Sequence, residues 1–389
     1  MRSTPPPGAP ARHAGGDGAF LRRLNYTAIL RSLHTSGVAT LTELAQDAQV
    51  SRATAEGIME ELLAEGLAEE SPAEPADRRR GRPARRFAFR AEAVHVAGVN
   101  VAAAGLTGMV ADMTGLITAT RRVPTDPDLP ATERLAAIVD LVQAVAAEAG
   151  LTVPNLAAVG VGTTGVIDGT GQVVKSVVLS DWSNVPLQSA LSTELQVPIL
   201  VENDMRLAVL AEHWRGAAVG HQDVIYLHVG KRIGLGLLFG GIPHRGSHAA
   251  AGELGGHPSS TRWRAFQHVM DYAMAVEPAE LRAPDQAALF ALDRLRAGDE
   301  KAGAAFEDFA IGLADGLVSL VTPLDPELVV IGGSLARAGD LLTGPIQRFL
   351  NGISIYPPEV VASEYGEESI VLGAVRLALN EAERVLFGF

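Results

Sequence analysis

Apolar residues recur at helical spacing through the first part of the chain and predict three helices. The first is predicted from Phe20 to Leu33, and the third follows Ser51, whose hydroxyl is placed to cap it. Between them, Thr40 and Glu43 have the spacing of a capping box that opens a short helix. The predicted apolar faces of the first and third helices comprise Leu21, Leu24, Ile29, Leu30 and Leu33, and Ala55, Ile58, Met59, Leu62 and Leu63. A supporting helix followed by two short helices is typical of a helix-turn-helix.

Two short strands are predicted after the third helix, at 67–68 and 87–89, around a loop that reads DRRRGRPARR. A helix-turn-helix followed by a strand, a basic loop and a returning strand indicates a winged helix-turn-helix, which we assign to residues 17–91. Within the loop, Arg82-Pro83 resembles a hook that enters a narrow minor groove. Residues 1–16 are rich in Pro, Gly and Ala and are predicted to be a disordered arm.

From residue 93 onward the pattern alternates between strand and helix signals. Three strands in a meander are followed by a helix at 131–149, and further strands and helices continue to residue 386. A hairpin is predicted from the apolar segments VIYLHVG and GLGLLFGG. Repeated β-β-β-α-β-α units in two halves predict an α/β protein with two sheet-centred lobes and a cleft between them.

The composition narrows the function classes. Among 389 residues there is no cysteine, which excludes disulfides, thiolate zinc sites and cysteine nucleophiles. No apolar run approaches the length of a membrane helix and the N-terminus lacks a signal-peptide pattern, so we expect a cytoplasmic protein without membrane partners.

The charge is distributed unevenly. The net charge is −13, yet residues 1–92 hold 13 basic and 12 acidic side chains, and the rest of the chain holds 19 and 33. Seven arginines lie between Arg78 and Arg90 with no acidic residue among them. Such a run attracts phosphates, although a solvated linker has the same composition.

Five segments together resemble the ROK family (repressor, open reading frame, kinase) over residues 20–380. They are LRRLNYTAILRSL, VENDMRLAVLAE, HAAAGELGG, ELVVIGGSLARAG and SIVLGAVRLAL. The resemblance implies a two-lobed, actin-like (ribonuclease H-like) sugar-kinase fold, with residues 92–204 plus 370–389 in the first lobe and 205–369 in the second. The segments SRATAEGIMEELLAEGLAEE and GRPARRF resemble the winged helix-turn-helix of the family's regulators.

The kinase motifs of the family are altered in this chain. Where the kinases have D-x-G-G-T, this chain has Asn100 followed by Val101 and Ala102–Ala104, so the metal-handling acid and the phosphate-cradling glycines are absent. The second phosphate loop contains Lys231 and Arg232, two cations that leave anion binding open. The cysteine-containing zinc module is missing, and we interpret His244, His248 and His257 as loop residues rather than metal ligands. We therefore expect no zinc, no ATP and no catalytic residue.

The motifs that contact sugar in the family's kinases are better preserved in this chain than the phosphate-binding motifs. Asn203 and Asp204 match the family's E-N-D motif and Glu253 matches G-E-[IL]-G, whose residues contact sugar in the kinases. Asn203 is also well placed to cap the following helix. We predict that Asn203, Asp204 and Glu253 bind a small effector, with His257 and Asp271 as further members of the site. Acceptor groups favour a neutral sugar, a polyol or an amino sugar.

The DNA-contacting residues are predicted from their places on the third helix and the wing. Ser51 is expected to meet a phosphate, and Arg52 and Thr54 to project toward base edges. The wing residues expected to contact DNA are Arg80, Arg82 and Arg85. Glu56 and Gly57 stand where relatives usually have small polar and basic residues, which predicts an unusual base preference.

These features together predict a transcriptional regulator, a repressor by preference, that binds double-stranded operator DNA as a homodimer or homotetramer and responds to a sugar. Two alternatives stay open at this stage. One is a sugar kinase with an appended DNA-binding module. The other is a DNA-binding protein with a decayed sugar site that is constitutive or regulated by a partner protein.

Overall fold

The computed structural model describes residues 17–72, 85–254, 261–278, 280 and 282–388. It divides into two compact units, of which the first comprises Met1–Val94 with Ala382–Phe389 and the second His95–Glu381. Within the described residues, no helix combines the length and the apolar composition needed to cross a bilayer.

The first unit contains three helices and a small antiparallel sheet. Its elements in chain order are α1 (Asp17–Ser36), β1 (Val38–Thr40), α2 (Leu41–Asp47), α3 (Arg52–Ala64), β2 (Ala68–Ser71) and β3 (Arg86–Phe89). The strand order is β1-β3-β2, and Ala68 lies opposite Phe89. This pairing confirms the predicted return strand, whereas the loop between β2 and β3, with Arg80 and Arg82, lies outside the described residues.

The helix starts of the first unit follow the predicted capping. The Thr40 backbone N–H donates to Glu43 at 2.7 Å while Thr40 Oγ1 accepts from the Glu43 N–H at 3.3 Å, a complete capping box. Ile29, Leu30 and Leu33 of α1 are fully buried. Leu21 and Leu24, predicted on the same apolar face, are instead exposed, because no apolar core of the described residues covers these positions of α1. That part of the core prediction was wrong.

The last residues of the chain pack in the first unit. Arg31 Nε donates to the Phe387 carbonyl at 3.0 Å, which occupies an acceptor left free at a helix end. The His34 ring stacks on Phe387 at 4.5 Å and meets Phe89 edge-on at 5.3 Å. The sequence grouped all of 370–389 with the first lobe, and the structure differs because these contacts join residues 382–389 to α1 and β3.

The second unit begins with a five-stranded sheet. Its elements are β4 (His95–Ala102), β5 (Gly105–Asp112), β6 (Ile117–Pro124), α4 (Ala131–Glu148), β7 (Leu156–Thr163), β8 (Val166–Ile167), β9 (Val173–Lys175), α5 (Leu187–Leu195) and β10 (Ile199–Asn203). The order is β10-β7-β4-β5-β6, with an antiparallel meander from β4 to β6 and parallel β7 and β10. The parallel pairing brings the carboxyl ends of β4, β7 and β10 to one edge.

A second five-stranded sheet follows. Its elements are α6 (Asp204–Arg215), β11 (Val224–Val229), β12 (Ile233–Phe239), β13 (Ile242–Pro243), α7 (Thr261–Val276), α8 (Pro284–Arg296), α9 (Glu300–Leu324), β14 (Leu328–Gly332), α10 (Asp340–Ile353), β15 (Glu359–Ala362) and α11 (Ser369–Phe387). The order is β13-β12-β11-β14-β15, with the predicted β11–β12 hairpin in place. The helices α7 to α10 share one apolar core with this sheet.

Helix α11 lies against strands whose glycines allow close approach. Gly98 in β4 and Gly160 in β7 are cross-strand neighbours. A Cβ on Gly160 would lie 2.0 Å from the Ala374 carbonyl oxygen, and one on Gly373 would lie 1.9 Å from the Leu207 carbonyl oxygen of α6. The backbone of α11 therefore contacts both the first sheet and α6 directly.

Candidate functional site

The first element of the candidate effector site is the turn from β10 into α6. Asn203 is buried, and its Oδ1 accepts from the N–H groups of Met205 at 2.9 Å and Arg206 at 3.2 Å. Its Nδ2 donates to the Gly165 carbonyl at 3.0 Å and lies 3.5 Å from Glu253 Oε1. Asn203 is thus a helix cap, and its amide also connects β10 with the loop that carries Glu253.

Asp204 occupies the first turn of α6 beside Asn203 and is half-buried. Burial, with a smaller contribution from the neighbouring Glu253 carboxylate, raises the pKa of its carboxyl to about 6, against the opposing effects of Arg232 and Arg206. Asp204 is therefore ionised at neutral pH but close to its titration range. An acceptor of this kind suits a hydroxyl or an amine of a bound ligand.

Glu253 reaches the same place from the loop after the β11–β12 hairpin. The loop turns at Gly252, which has φ +87, and a Cβ there would lie 2.2 Å from the Leu235 carbonyl oxygen. Only glycine lets this loop lie so close to β12. Glu253 itself is exposed, which leaves its carboxylate accessible to a ligand.

Arg232, in the turn of the hairpin, is the cation of this cluster. It interacts electrostatically with Asp204 and Glu253. Of the two cations in this loop, Lys231 and Arg232, it is thus Arg232 that interacts with the acidic residues of the cluster. The described cluster contains two carboxylates, one amide and one guanidinium, a set of groups that forms hydrogen bonds with a polyhydroxylated ligand.

A buried ion pair beneath the cluster was missed by the sequence reasoning. Glu202 Oε1 accepts from Arg206 Nε at 2.7 Å, and Arg245 Nη2 lies 2.5 Å from Glu202 Oε2. Arg206 Nη1 also donates to the Ala249 carbonyl at 3.1 Å. This network ties the start of α6 to residues 245–249, the segment that leads to Glu253. Glu202 lies near the end of β10 and Arg206 in the first turn of α6, so no periodicity within a single element signals this pair in the sequence.

Large side chains of β11 lie against the turn that follows β14. Tyr226 and His228 lie on β11, and a Cβ on Gly332 would lie 1.9 Å from the Tyr226 hydroxyl oxygen. A Cβ on Gly230 would lie 3.1 Å from His228 Nε2 and 3.4 Å from Ser334 Oγ. Burial, together with the nearby Arg232 charge, lowers the pKa of His228 to about 4, so the imidazole is neutral at pH 7.

The remaining predicted effector residues are not brought to this cluster by the described contacts. Asp271 is exposed on α7, and its Oδ1 accepts from Gln267 Nε2 at 2.6 Å on its own helix. His257 lies outside the described residues. The His244 ring packs edge-on against Phe239 at 5.4 Å. In the described part of the chain, no three His, Cys, Asp or Glu residues are grouped closely enough to hold a metal ion.

Of the predicted DNA-contacting residues that the structure describes, Ser51, Arg52 and Thr54 lie at the start of α3 and Arg85 lies just before β3. Ser51 caps α3, since its Oγ accepts from the Thr54 N–H at 3.1 Å and lies 2.8 Å from Thr54 Oγ1. Arg52 is exposed and donates to Thr42 Oγ1 of α2 at 3.2 Å. Arg85, just before β3, pairs with Glu70 and lies 5.2 Å from the centre of the Phe87 ring. The hydroxyl of Thr54 is therefore partly engaged within its own helix.

Comparison with known proteins gives a family match and relatives of two kinds. The model of the ROK family matches residues 96–381. Streptomyces coelicolor glucokinase is 28% identical over 312 residues, which cover 72% of this chain and 96% of the enzyme. The xylose repressor of Caldicellulosiruptor bescii is 20% identical over 401 residues, which cover 94% of this chain and 98% of the repressor.

A solved structure is similar over almost the whole chain. It is that of a ROK family transcriptional regulator, a homologue of the E. coli MLC protein, with a TM-score of 0.72 and 18% identity. The match covers 94% of this chain and 98% of that protein. This likeness shows a mixed α/β, actin-like fold of the ROK type. With the family model matching most of its length, the chain belongs to the ROK family.

Proposed function

We propose that this chain is a transcriptional repressor that binds double-stranded DNA through residues 17–91 and senses a sugar at Asn203, Asp204 and Glu253. The observation that carries the proposal is the extent of the matches. The glucokinase match covers 72% of the chain, whereas the xylose repressor match covers 94% and so extends into the N-terminal unit. The N-terminal unit is thus a feature shared with regulators.

The arrangement of the first unit supports DNA binding. The short helices α2 and α3 with a tight turn between them, followed by the paired strands β2 and β3, correspond to a winged helix-turn-helix. In that plan α3 enters the major groove, with Ser51 near a phosphate and Arg52 near base edges. The loop with Arg80 and Arg82 and the neighbouring Arg85 would then form the wing. Two such units in a homodimer or homotetramer would bind paired half-sites.

The cluster around Asp204 supports an effector rather than a substrate. Asp204 and Glu253 offer acceptors for the hydroxyl groups of a neutral sugar or polyol, with the Asn203 amide beside them, and an amino sugar adds a charge-assisted hydrogen bond. Asn100 and Ala102–Ala104 replace the acid and glycines of the kinase motif, so we expect no phosphoryl transfer and no bound ATP. A sugar that binds one state of the protein better shifts the population of DNA-competent molecules.

Replacing Arg52 tests the DNA-binding part. We expect Arg52→Ala to lose about 1 to 3 kcal/mol of binding to an operator selected from random duplexes, because an arginine contact to a base edge is lost. Fluorescence anisotropy with the full chain measures the affinity for the operator and for a scrambled duplex. The control is Arg22→Ala, which removes another exposed arginine of the same unit, one paired with Glu61. Equal operator affinities for the Arg52 variant and the wild type would contradict the assignment.

The raised pKa of Asp204 predicts a pH dependence of sugar binding. Above its pKa of about 6 the carboxylate accepts hydrogen bonds, and below it the protonated group loses this role. We therefore expect sugar affinity to fall by roughly tenfold from pH 7.5 to pH 5, as one acceptor is lost. Calorimetry against monosaccharides and amino sugars measures it, with Asp204→Asn as the variant whose affinity does not change over this range.

Sugar binding measured by calorimetry and a separate assay of ADP release distinguish the two alternative functions. A wild-type chain that binds no sugar at any pH would remove the sensor and leave a constitutive or partner-regulated DNA-binding protein. Sugar-dependent release of ADP from ATP would instead identify a sugar kinase with an appended DNA-binding module, the activity for which the glucokinase relative is named.

A further inference from the structure

The exposed face of α3 has an unusual set of side chains. Ala55, Ile58, Met59 and Leu62 are buried in the first unit. The opposite face presents one cation and two carboxylates, and its exposed members are Arg52, Ala53, Glu56, Gly57, Glu60 and Ala64. If α3 enters a major groove, as the proposed function requires, Glu56 lies one helical turn beyond Arg52 on the same face.

A carboxylate on such a face is repelled by the DNA phosphates. A hydrogen bond that it accepts from a base offsets this repulsion. The only donors in the major groove are the amino groups N4 of cytosine and N6 of adenine. Adenine N6 is flanked on both sides by acceptors, N7 of adenine and O4 of the paired thymine, which repel a carboxylate. Cytosine N4 has an acceptor on one side alone, so cytosine is the base that a glutamate recognises.

The surroundings of Glu56 leave it available for this contact. Among the residues that the structure describes, Glu56 makes no hydrogen bond or ion pair, and its electrostatic interaction is with Arg85. Arg52, by contrast, is oriented by its hydrogen bond to Thr42. Glu61, the next carboxylate after Glu60, is held by Arg22 at 2.9 Å and faces α1. Glu56 is thus an exposed acceptor near the start of the helix.

Gly57 beside it has no role in the packing of the unit. Among the residues that the structure describes, none has a heavy atom within 4 Å of a Cβ built on Gly57, although glycine weakens the interior of a helix. Ala53 lies one turn before Gly57, so this side of the helix carries only small side chains at these two positions. A glutamate side chain is shorter than arginine, and its helix must approach the base edges more closely to reach them. The small side chains at 53 and 57 permit that approach.

We propose that Glu56 determines operator specificity by accepting a hydrogen bond from cytosine N4 in the major groove, and that Ala53 and Gly57 let the helix come close enough for this contact. The proposal rests on the DNA-binding function proposed above. It assigns one base pair in each half-site to one side chain.

Selection from randomised duplexes tests this inference with the full-length protein. We expect the wild type to enrich a motif with cytosine at one position of each half-site. Glu56→Gln should enrich adenine at that position, since glutamine pairs with adenine N6 and N7, and should bind the wild-type operator roughly tenfold or more weakly. The matched control is Glu60→Gln, which removes the same charge one turn further along and should retain the wild-type motif.

The failure of this inference is distinguishable from the failure of the proposed function. A wild-type chain that enriches a defined motif, together with a Glu56 variant that enriches the same motif, would overturn the role of Glu56 and leave DNA binding intact. A wild-type chain that enriches no motif would overturn both. Thermal melts of each variant verify folding. Gly57→Ala should leave the melting temperature unchanged or raised while weakening operator binding at least threefold, and unchanged operator affinity would overturn the close-approach role of Gly57.

Discussion

Replacement of Arg206 by methionine is expected to lower the free energy of unfolding by about 3 to 5 kcal/mol. The Arg206 side chain is 2% exposed and its partner Glu202 is 9% exposed. Removing one member of such a pair leaves the other charge buried, and the remaining partner Arg245 is itself half in solvent. The variant also loses the hydrogen bond to the Ala249 carbonyl, which secures the segment leading to Glu253.

Urea unfolding of the full chain, followed by circular dichroism, measures this effect. The control is Arg121→Met, because Arg121 pairs with Glu148 on the surface, where both side chains are at least 40% exposed. Such exposed pairs contribute about 1 kcal/mol or less. Similar unfolding free energies for the Arg206 and Arg121 variants would show that the Glu202 network does not stabilise the site.

The second large effect is expected at Gly160. A methyl group there would collide with the Ala374 carbonyl, so Gly160→Ala requires α11 to move away from β7. Overpacking of this kind, against backbone that cannot rotate away, destabilises by about 3 kcal/mol. Gly169→Ala is the matched control, since in the described part of the chain no heavy atom lies within 4 Å of a Cβ at that position. Equal melting temperatures for the two alanine variants would contradict the close packing of α11 on the sheet.

The fold could be predicted from sequence wherever a local signal repeats. The capping box at Thr40 and Glu43, the cap at Ser51 and the β11–β12 hairpin all combine a periodic apolar pattern with a turn or cap signal. Elements of two to four residues carry no such period. The strands missed by the sequence reasoning are β1, β8, β9, β13 and β15. β1 and β15 are defined by pairing with distant strands, and β8, β9 and β13 by short local pairings without a periodic signal of their own.

The local sequence also does not determine which positions of a helix are exposed or where the end of the chain packs. Leu21 and Leu24 have the spacing of a buried face, but burial depends on which elements lie opposite, and those positions of α1 are solvent-exposed. The packing of Phe387 on His34 joins residues more than 350 positions apart. No pattern within either segment indicates this contact.

Some residues of the candidate site could be predicted from the sequence and others could not. Asn203, Asp204 and Glu253 were recognisable because each lies in a short motif, and the structure places the Asn203 amide 3.5 Å from Glu253. The ion pair of Glu202 with Arg206 and Arg245, and the electrostatic contact of Arg232 with Asp204, depend on loops brought together by tertiary structure. Charges that are ordinary in the sequence therefore became part of the site only through the fold.

The most direct test of a sugar-responsive repressor is the affinity of the full-length protein for its selected operator, measured by fluorescence anisotropy with and without each sugar of a panel of monosaccharides and amino sugars. We predict that at least one sugar weakens operator binding by tenfold or more in the wild type and has no effect on Asp204→Ala, which still binds the operator with wild-type affinity. Operator affinity that no sugar changes in the wild type, or that the same sugar changes equally in the Asp204 variant, would contradict the account.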